Sequence, residues 1–248
     1  MDDGTPNAGA ALLERALGYA LCAVRPVTPG ALERPTPCGR WDLRALLWHT
    51  NDSLAALCEG VEDGYVALGP AVPGRDGVRG GVRVGERGGD PGRAPEGGTY
   101  GGSDDPATAF RTRASRLMGA WAASDGPAGR LVGVGDLPLT AAALARTGAL
   151  EIAVHGWDIA QATGLPRPVP AALATALMRT ARQLVPRPAA RHPLFGQPLT
   201  VAAEADPSDR LVAFLGRDPY GGWRGGARDR DGRDRDGRGG AEDPTAPA

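Results

Sequence analysis

The sequence predicts a mainly all-α fold: a four-helix bundle with one long crossover loop, a short β segment near 130–139 and a small C-terminal extension. Three observations predict it. Apolar residues recur at helical spacing in separate stretches of the 248-residue chain. Aromatics are only 5% of a chain that is 42% hydrophobic, so Ala and Leu must build the core, which suits close-packed helices. Gly- and Pro-rich stretches separate the periodic segments.

The elements follow in order. Residues 8–25 set Leu12, Leu13, Ala16, Leu17, Ala20, Leu21 and Val24 on one stripe, a first helix. Four prolines from Pro26 to Trp41, Pro26 included, keep the next stretch from being one helix. Asp42 then caps a second helix over 43–59, with Leu43, Leu46, Leu47, Thr50, Leu54, Leu57 and Cys58 on its apolar stripe and Gly60 just past its end. Asp105-Pro106 opens a third, an acidic cap followed by proline at the first helical position. It carries Phe110, Ala114, Leu117, Met118 and Trp121 on one face to about Ser124, and Gly126-Pro127 stops it. Arg130 to Leu139 alternates as one or two short strands. A fourth helix over about 140–163 ends at Gly164, with Pro166 beyond; a fifth, 170–184, stops before Pro186. A short helix near Asp209–Leu215 comes last.

The bundle is therefore expected over 8–185. Within it, residues 70–102 hold 12 Gly and 4 Pro in 33 positions, too little apolar surface to offset ordering entropy, so this stretch reads as a disordered insert. Residues 186–222 read as a short extension packed on the bundle, and 223–248 as a solvated Arg/Asp/Gly tail.

Charge excludes some partners. The formal net charge is −1, and the tail's interleaved Asp cancels the field of its Arg, so neither nucleic acid nor a membrane surface is an expected partner. No run approaches the roughly 18 apolar residues of a span, and MDDGTPNAGA has no signal-peptide pattern, so a cytoplasmic location is expected. Cys22, Cys38 and Cys58 are odd in number and form no CxxC pair, which argues against disulfides and a Cys-based zinc site. Oligomeric state has no signature.

The chemistry centres on the histidines, of which there are three. On the fourth helix Leu144, Gly148, Glu151, His155, Asp158 and Ala162 fall within roughly 80° of one another at about 100° per residue. Arg146, the nearest base, lies on the opposite side. A half-buried carboxylate without a base needs a counter-charge, and a divalent cation supplies one. On the second helix Ala45, His49, Asp52 or Ser53, and Ala56 form a small, partly polar stripe where a ligand could face a cavity. Two imidazoles and a carboxylate suit Zn²⁺ best and also admit Ni²⁺, Fe²⁺ or Mn²⁺, with a position left open. Asp158, one turn on, could hold the His155 imidazole in one tautomer. An i,i+4 Glu–His pair is equally well an ordinary surface pair, worth a few tenths of a kcal/mol. His192, in a Pro-rich loop, reads as a surface histidine. Cys38 is presented by a rigid loop ahead of His49; a small apolar thiol is its simpler role and a reactive one the alternative. Trp48 and Trp157 flank the ligand histidines and either pack in the core or wall the cavity.

Two motifs carry a resemblance. Pro35-Thr36-Pro37-Cys38-Gly39-Arg40-Trp41, running on to Leu46-Leu47-Trp48-His49, is similar to the PTPCxxWxxxxLLxH stretch of the actinobacterial mycothiol-dependent maleylpyruvate isomerase-like family. Glu151-Ile152-Ala153-Val154-His155-Gly156-Trp157-Asp158-Ile159-Ala160 resembles that family's ExxxHGWDxA helix. The likeness covers about 10–62 and 104–216. It implies a DinB-like metal-binding four-helix bundle whose metal ligands are His49, Glu151 and His155. It also implies zinc, with mycothiol as cosubstrate, for isomerisation, thiol transfer or detoxification. The sequence departs from the isomerase in its Gly-rich insert and in a region after 186 that is short for a second α/β domain.

The expected function is thus a metal-dependent, mycothiol-using enzyme of transferase or isomerase type, presenting a metal-bound thiolate to an electrophilic small molecule. The alternatives are a non-catalytic metal-binding sensor or interaction bundle, and a metal-assisted hydrolase.

Overall fold

The first helix, α1 (Ala8–Val24), buries Leu12, Leu13, Ala16, Leu17, Ala20 and Val24, while Leu21 packs at the margin of the core. The computed structural model describes residues 8–39, 41–67, 105–123, 129–185, 191 and 195–221. The 70–102 insert, Gly126-Pro127, His192 and the 223–248 tail lie outside the described residues.

The Pro-rich loop after α1 is tied down by its own backbone. Arg34 C=O accepts the Leu43 N–H and Leu32 C=O accepts the Arg44 N–H, both at 2.8 Å, and the Thr36 hydroxyl donates to Trp41 C=O at 2.8 Å. These bonds fix Cys38 and Trp41 at the head of the next helix. That helix, α2 (Leu43–Glu62), starts as expected, with the Asp42 carboxylate accepting the Ala45 N–H. It does not stop at Gly60. A Cβ at Gly60 would stand 2.5 Å from Leu144 Cδ2, so close helix approach, not a left-handed turn, calls for glycine there. The helix is capped at Asp63, and Gly64, at φ 72°, makes the turn.

The third helix, α3 (Pro106–Ala123), is capped by Asp105, whose carboxylate accepts the Ala107 and Thr108 N–H groups at 3.1 Å each. The expected short strands form an antiparallel hairpin, Leu131–Val134 with Leu137–Thr140, in register Leu131↔Thr140. A third strand, Tyr65–Val66, joins parallel to the first of these. In chain order these are β1 (Tyr65–Val66), β2 (Leu131–Val134) and β3 (Leu137–Thr140). Thr140 ends β3 and, through its hydroxyl, caps α4 (Ala141–Ala162). Then come α5 (Ala171–Leu184) and α6 (Pro207–Phe214), the latter packed on α5.

Among the described residues α1 packs on α4 and α3, and α2 packs on α3 and α4. The ring order is α1–α4–α2–α3, so the long connection joins neighbours α2 and α3. The steps across the diagonals are made by the Pro-rich loop and the hairpin. In α4 every residue from Ile152 to Ala160 is buried, with α1, α2 and α5 around it. Polar groups on this central helix must find partners within the protein, because leaving a charge there unpaired costs several kcal/mol. No described helix is long and apolar enough to cross a membrane.

Candidate metal centre

The ring order sets α2 beside α4, and this contact brings the predicted residues together. His49 Nε2 lies 2.7 Å from Glu151 Oε1, and His155 Nε2 lies 3.2 Å from the same oxygen. The imidazoles meet edge to face with centroids 5.1 Å apart. Donor atoms of His49, Glu151 and His155 all fall within 4.8 Å of one another. Ligands of a tetrahedral cation with bonds of about 2.0–2.1 Å stand about 3.3 Å apart, so the three donor atoms are close enough to be candidates for one ion, with His49 and Glu151 needing to part from their 2.7 Å contact. Ser53, from the small stripe of α2, donates its hydroxyl toward Glu151 Oε1 at 3.4 Å.

Access differs sharply among these side chains. His49 and Glu151 are each 36% exposed, His155 is 8% exposed and Asp158 is fully buried. The cluster therefore has a buried floor and an open side. Trp41 forms one wall, its ring centroid 4.4 Å from His49 and 6.2 Å from His155. Trp157, by contrast, belongs to the core, and Trp48 is half-buried on α2.

Asp158 sits where its spacing put it, with Oδ2 at 3.0 Å from His155 Nδ1. That contact leaves Nε2 turned toward Glu151 and His49. What the sequence did not single out is Arg217. Its Nε donates to Asp158 Oδ1 at 3.1 Å and a terminal nitrogen donates to Oδ2 at 2.8 Å, a bidentate pair. The same nitrogen is 4.0 Å from Cys38 Sγ. The available signal was a buried Asp158 with no base on its own helix face, which demands a cation from elsewhere.

The electrostatics follow from this chain of contacts. Burial acts to raise the Glu151 carboxyl, but His155 and His49 outweigh it and hold the group well below its usual range. Burial acts to lower His155, but Glu151 and Asp158 outweigh it and raise the imidazole to about 9. Asp158 is likewise held down against its burial by Arg217 and His155.

Residues 13–160 match the family profile described as Mycothiol maleylpyruvate isomerase N-terminal domain. The chain belongs to this family. The matched span of this mycothiol maleylpyruvate isomerase N-terminal domain holds His49, Glu151, His155 and Asp158, while Arg217 lies beyond it. No curated protein and no solved structure matches the chain.

Proposed function

We propose that this protein is a metal-dependent, thiol-using enzyme of transferase or isomerase type. His49, Glu151 and His155 hold one divalent cation, Zn²⁺ best suiting the donor set, and mycothiol is the cosubstrate. The observation that carries the reading is the convergence of two imidazole Nε2 atoms on one carboxylate oxygen at 2.7 and 3.2 Å, with two of the three side chains partly exposed. Family membership supports the thiol.

His49, Glu151 and His155 would hold the cation, which would supply Lewis acidity that favours the thiolate form of a thiol at neutral pH. The protein's own groups do the rest. Glu151 offsets the positive charge. Asp158 holds the His155 ring by Nδ1, so that Nε2 faces the cation position. Trp41 shields one side from water, and the open side admits the thiol and its small-molecule electrophile.

A cobalt-substituted protein titrated with mycothiol tests this. The expected result is a thiolate-to-cobalt charge-transfer band that saturates with added thiol. Cobalt bound with no response to thiol would move the reading to a metal-assisted hydrolase or a non-catalytic metal-binding bundle.

A further inference from the structure

Two metal-capable clusters share His155. One is His49–Glu151–His155 and the other is Cys38–His155–Asp158. The two ring nitrogens are divided between them: Nε2 faces Glu151 at 3.2 Å, and Nδ1 faces Asp158 at 3.0 Å. A thiol, an imidazole and a carboxylate form a donor set that soft and borderline divalent ions favour. The second cluster is thus a competitor for the metal and for the orientation of the shared ring.

That cluster already contains a cation, the guanidinium of Arg217. It grips both oxygens of Asp158 and lies 4.0 Å from Cys38 Sγ. Its side chain is 10% exposed and Asp158 is 0% exposed, so the pair is desolvated. Arg217 is held in turn by its own segment: its N–H donates to Val212 C=O at 2.9 Å and its guanidinium to Leu215 C=O at 3.2 Å. This segment follows α6, well outside the matched 13–160 span. A planar fork fixed at several points keeps its charge at any working pH and presents no acceptor to a metal.

We propose that Arg217 is a positioning residue that commits His155 to the His49–Glu151 site by filling the Cys38–Asp158 cluster as a fixed cation. The segment after α6 is thereby part of the metal centre. Metal loading at the triad depends on that segment being docked. The proposal rests on the metal-centre reading above.

Cobalt binding in thiol-free buffer tests it on the full chain. The wild type should bind one equivalent and show no thiolate-to-cobalt band, because Arg217 keeps cobalt from Cys38. Arg217→Ala should bind cobalt at the triad about 10–100-fold more weakly and develop that band. Arg217→Ala/Cys38→Ser should lose the band, and Arg217→Lys, which keeps the charge, should not develop it. A role confined to stability would lower the urea midpoint of Arg217→Ala and leave the cobalt affinity and spectrum of its folded form at the wild-type values. A thiolate band in the wild type overturns the proposal even if the alanine variant fails to fold. So does an Arg217→Ala protein with wild-type affinity and spectrum. In both cases the metal-centre reading stands, whereas a wild type that binds no cobalt takes both down.

Discussion

His155 Nδ1 stands 3.0 Å from Asp158 Oδ2, and this contact decides which ring nitrogen meets His49 and Glu151. The two residues are one turn apart on α4, the most deeply buried helix of the bundle. Asp158 has no access to water, so its charge depends on His155 and Arg217 together. Orientation of the His155 ring and stability of the core are therefore coupled through one carboxylate.

Asp158→Asn should damage both. It removes the charge that pairs Arg217 and leaves a buried guanidinium uncompensated, a loss of about 3–5 kcal/mol for breaking a buried pair. It should also weaken metal binding by about 10–100-fold through the freed His155 ring. Urea unfolding of the metal-free protein reads the first effect, and competition with a chromophoric zinc chelator reads the second.

The metal-free protein should lose stability as pH rises from neutrality. Burial works against the charge on His155, but Glu151 and Asp158 raise its folded value from 6.5 to about 9. Between those values the folded chain keeps a proton that the unfolded chain has released, so the stabilisation is complete below 6.5 and is lost as pH passes 9. Metal affinity should move the other way, because a cation must displace that proton. Thermal melts from pH 6 to 9.5, with and without saturating Zn²⁺, check both slopes. A flat metal-free profile that matches His155→Ala would contradict this assignment.

Gly148→Val should separate α2 and α4, the two helices that carry the proposed ligands. A Cβ at Gly148 would stand 2.6, 2.7 and 3.1 Å from three carbons of Leu57, which is buried on α2. Overpacking of this kind costs about 1–3 kcal/mol. Because α2 carries His49 and α4 carries Glu151, metal affinity should fall along with the denaturation midpoint.

Trp41→Ala should act more mildly and locally. The ring packs 4.4 Å from His49, and aromatic pairing contributes about 0.5–1.5 kcal/mol beyond burial. Metal affinity should drop several-fold while the far-ultraviolet circular dichroism spectrum stays unchanged, and Trp41→Phe should restore most of it.

The helices, their caps at Asp42 and Asp105, and the Glu151/His155 pair were legible because each rests on local spacing, whereas His49 joined that pair only through the family resemblance. A 3.6-residue period fixes which residues share a face whatever lies opposite. Gly60 was misread for the same reason: glycine past an apolar run signals a helix end, but here it admits Leu144 from another helix. The two-residue strand Tyr65–Val66 is too short to show alternation. Arg217 is one of 28 basic residues and lies in a non-periodic stretch; only the charge demand of Asp158, once it is known to be buried, points to it. Trp41 was overlooked in favour of Trp48 and Trp157, because proximity in sequence to a ligand does not place a ring on the ligand's face.

The most direct test of the account is the metal content of untagged protein, by mass spectrometry after reconstitution and desalting. The wild type and His192→Ala should each retain one divalent cation per chain, and His49→Ala and His155→Ala should retain none. Full occupancy in His49→Ala, or no cation in the reconstituted wild type, would contradict it.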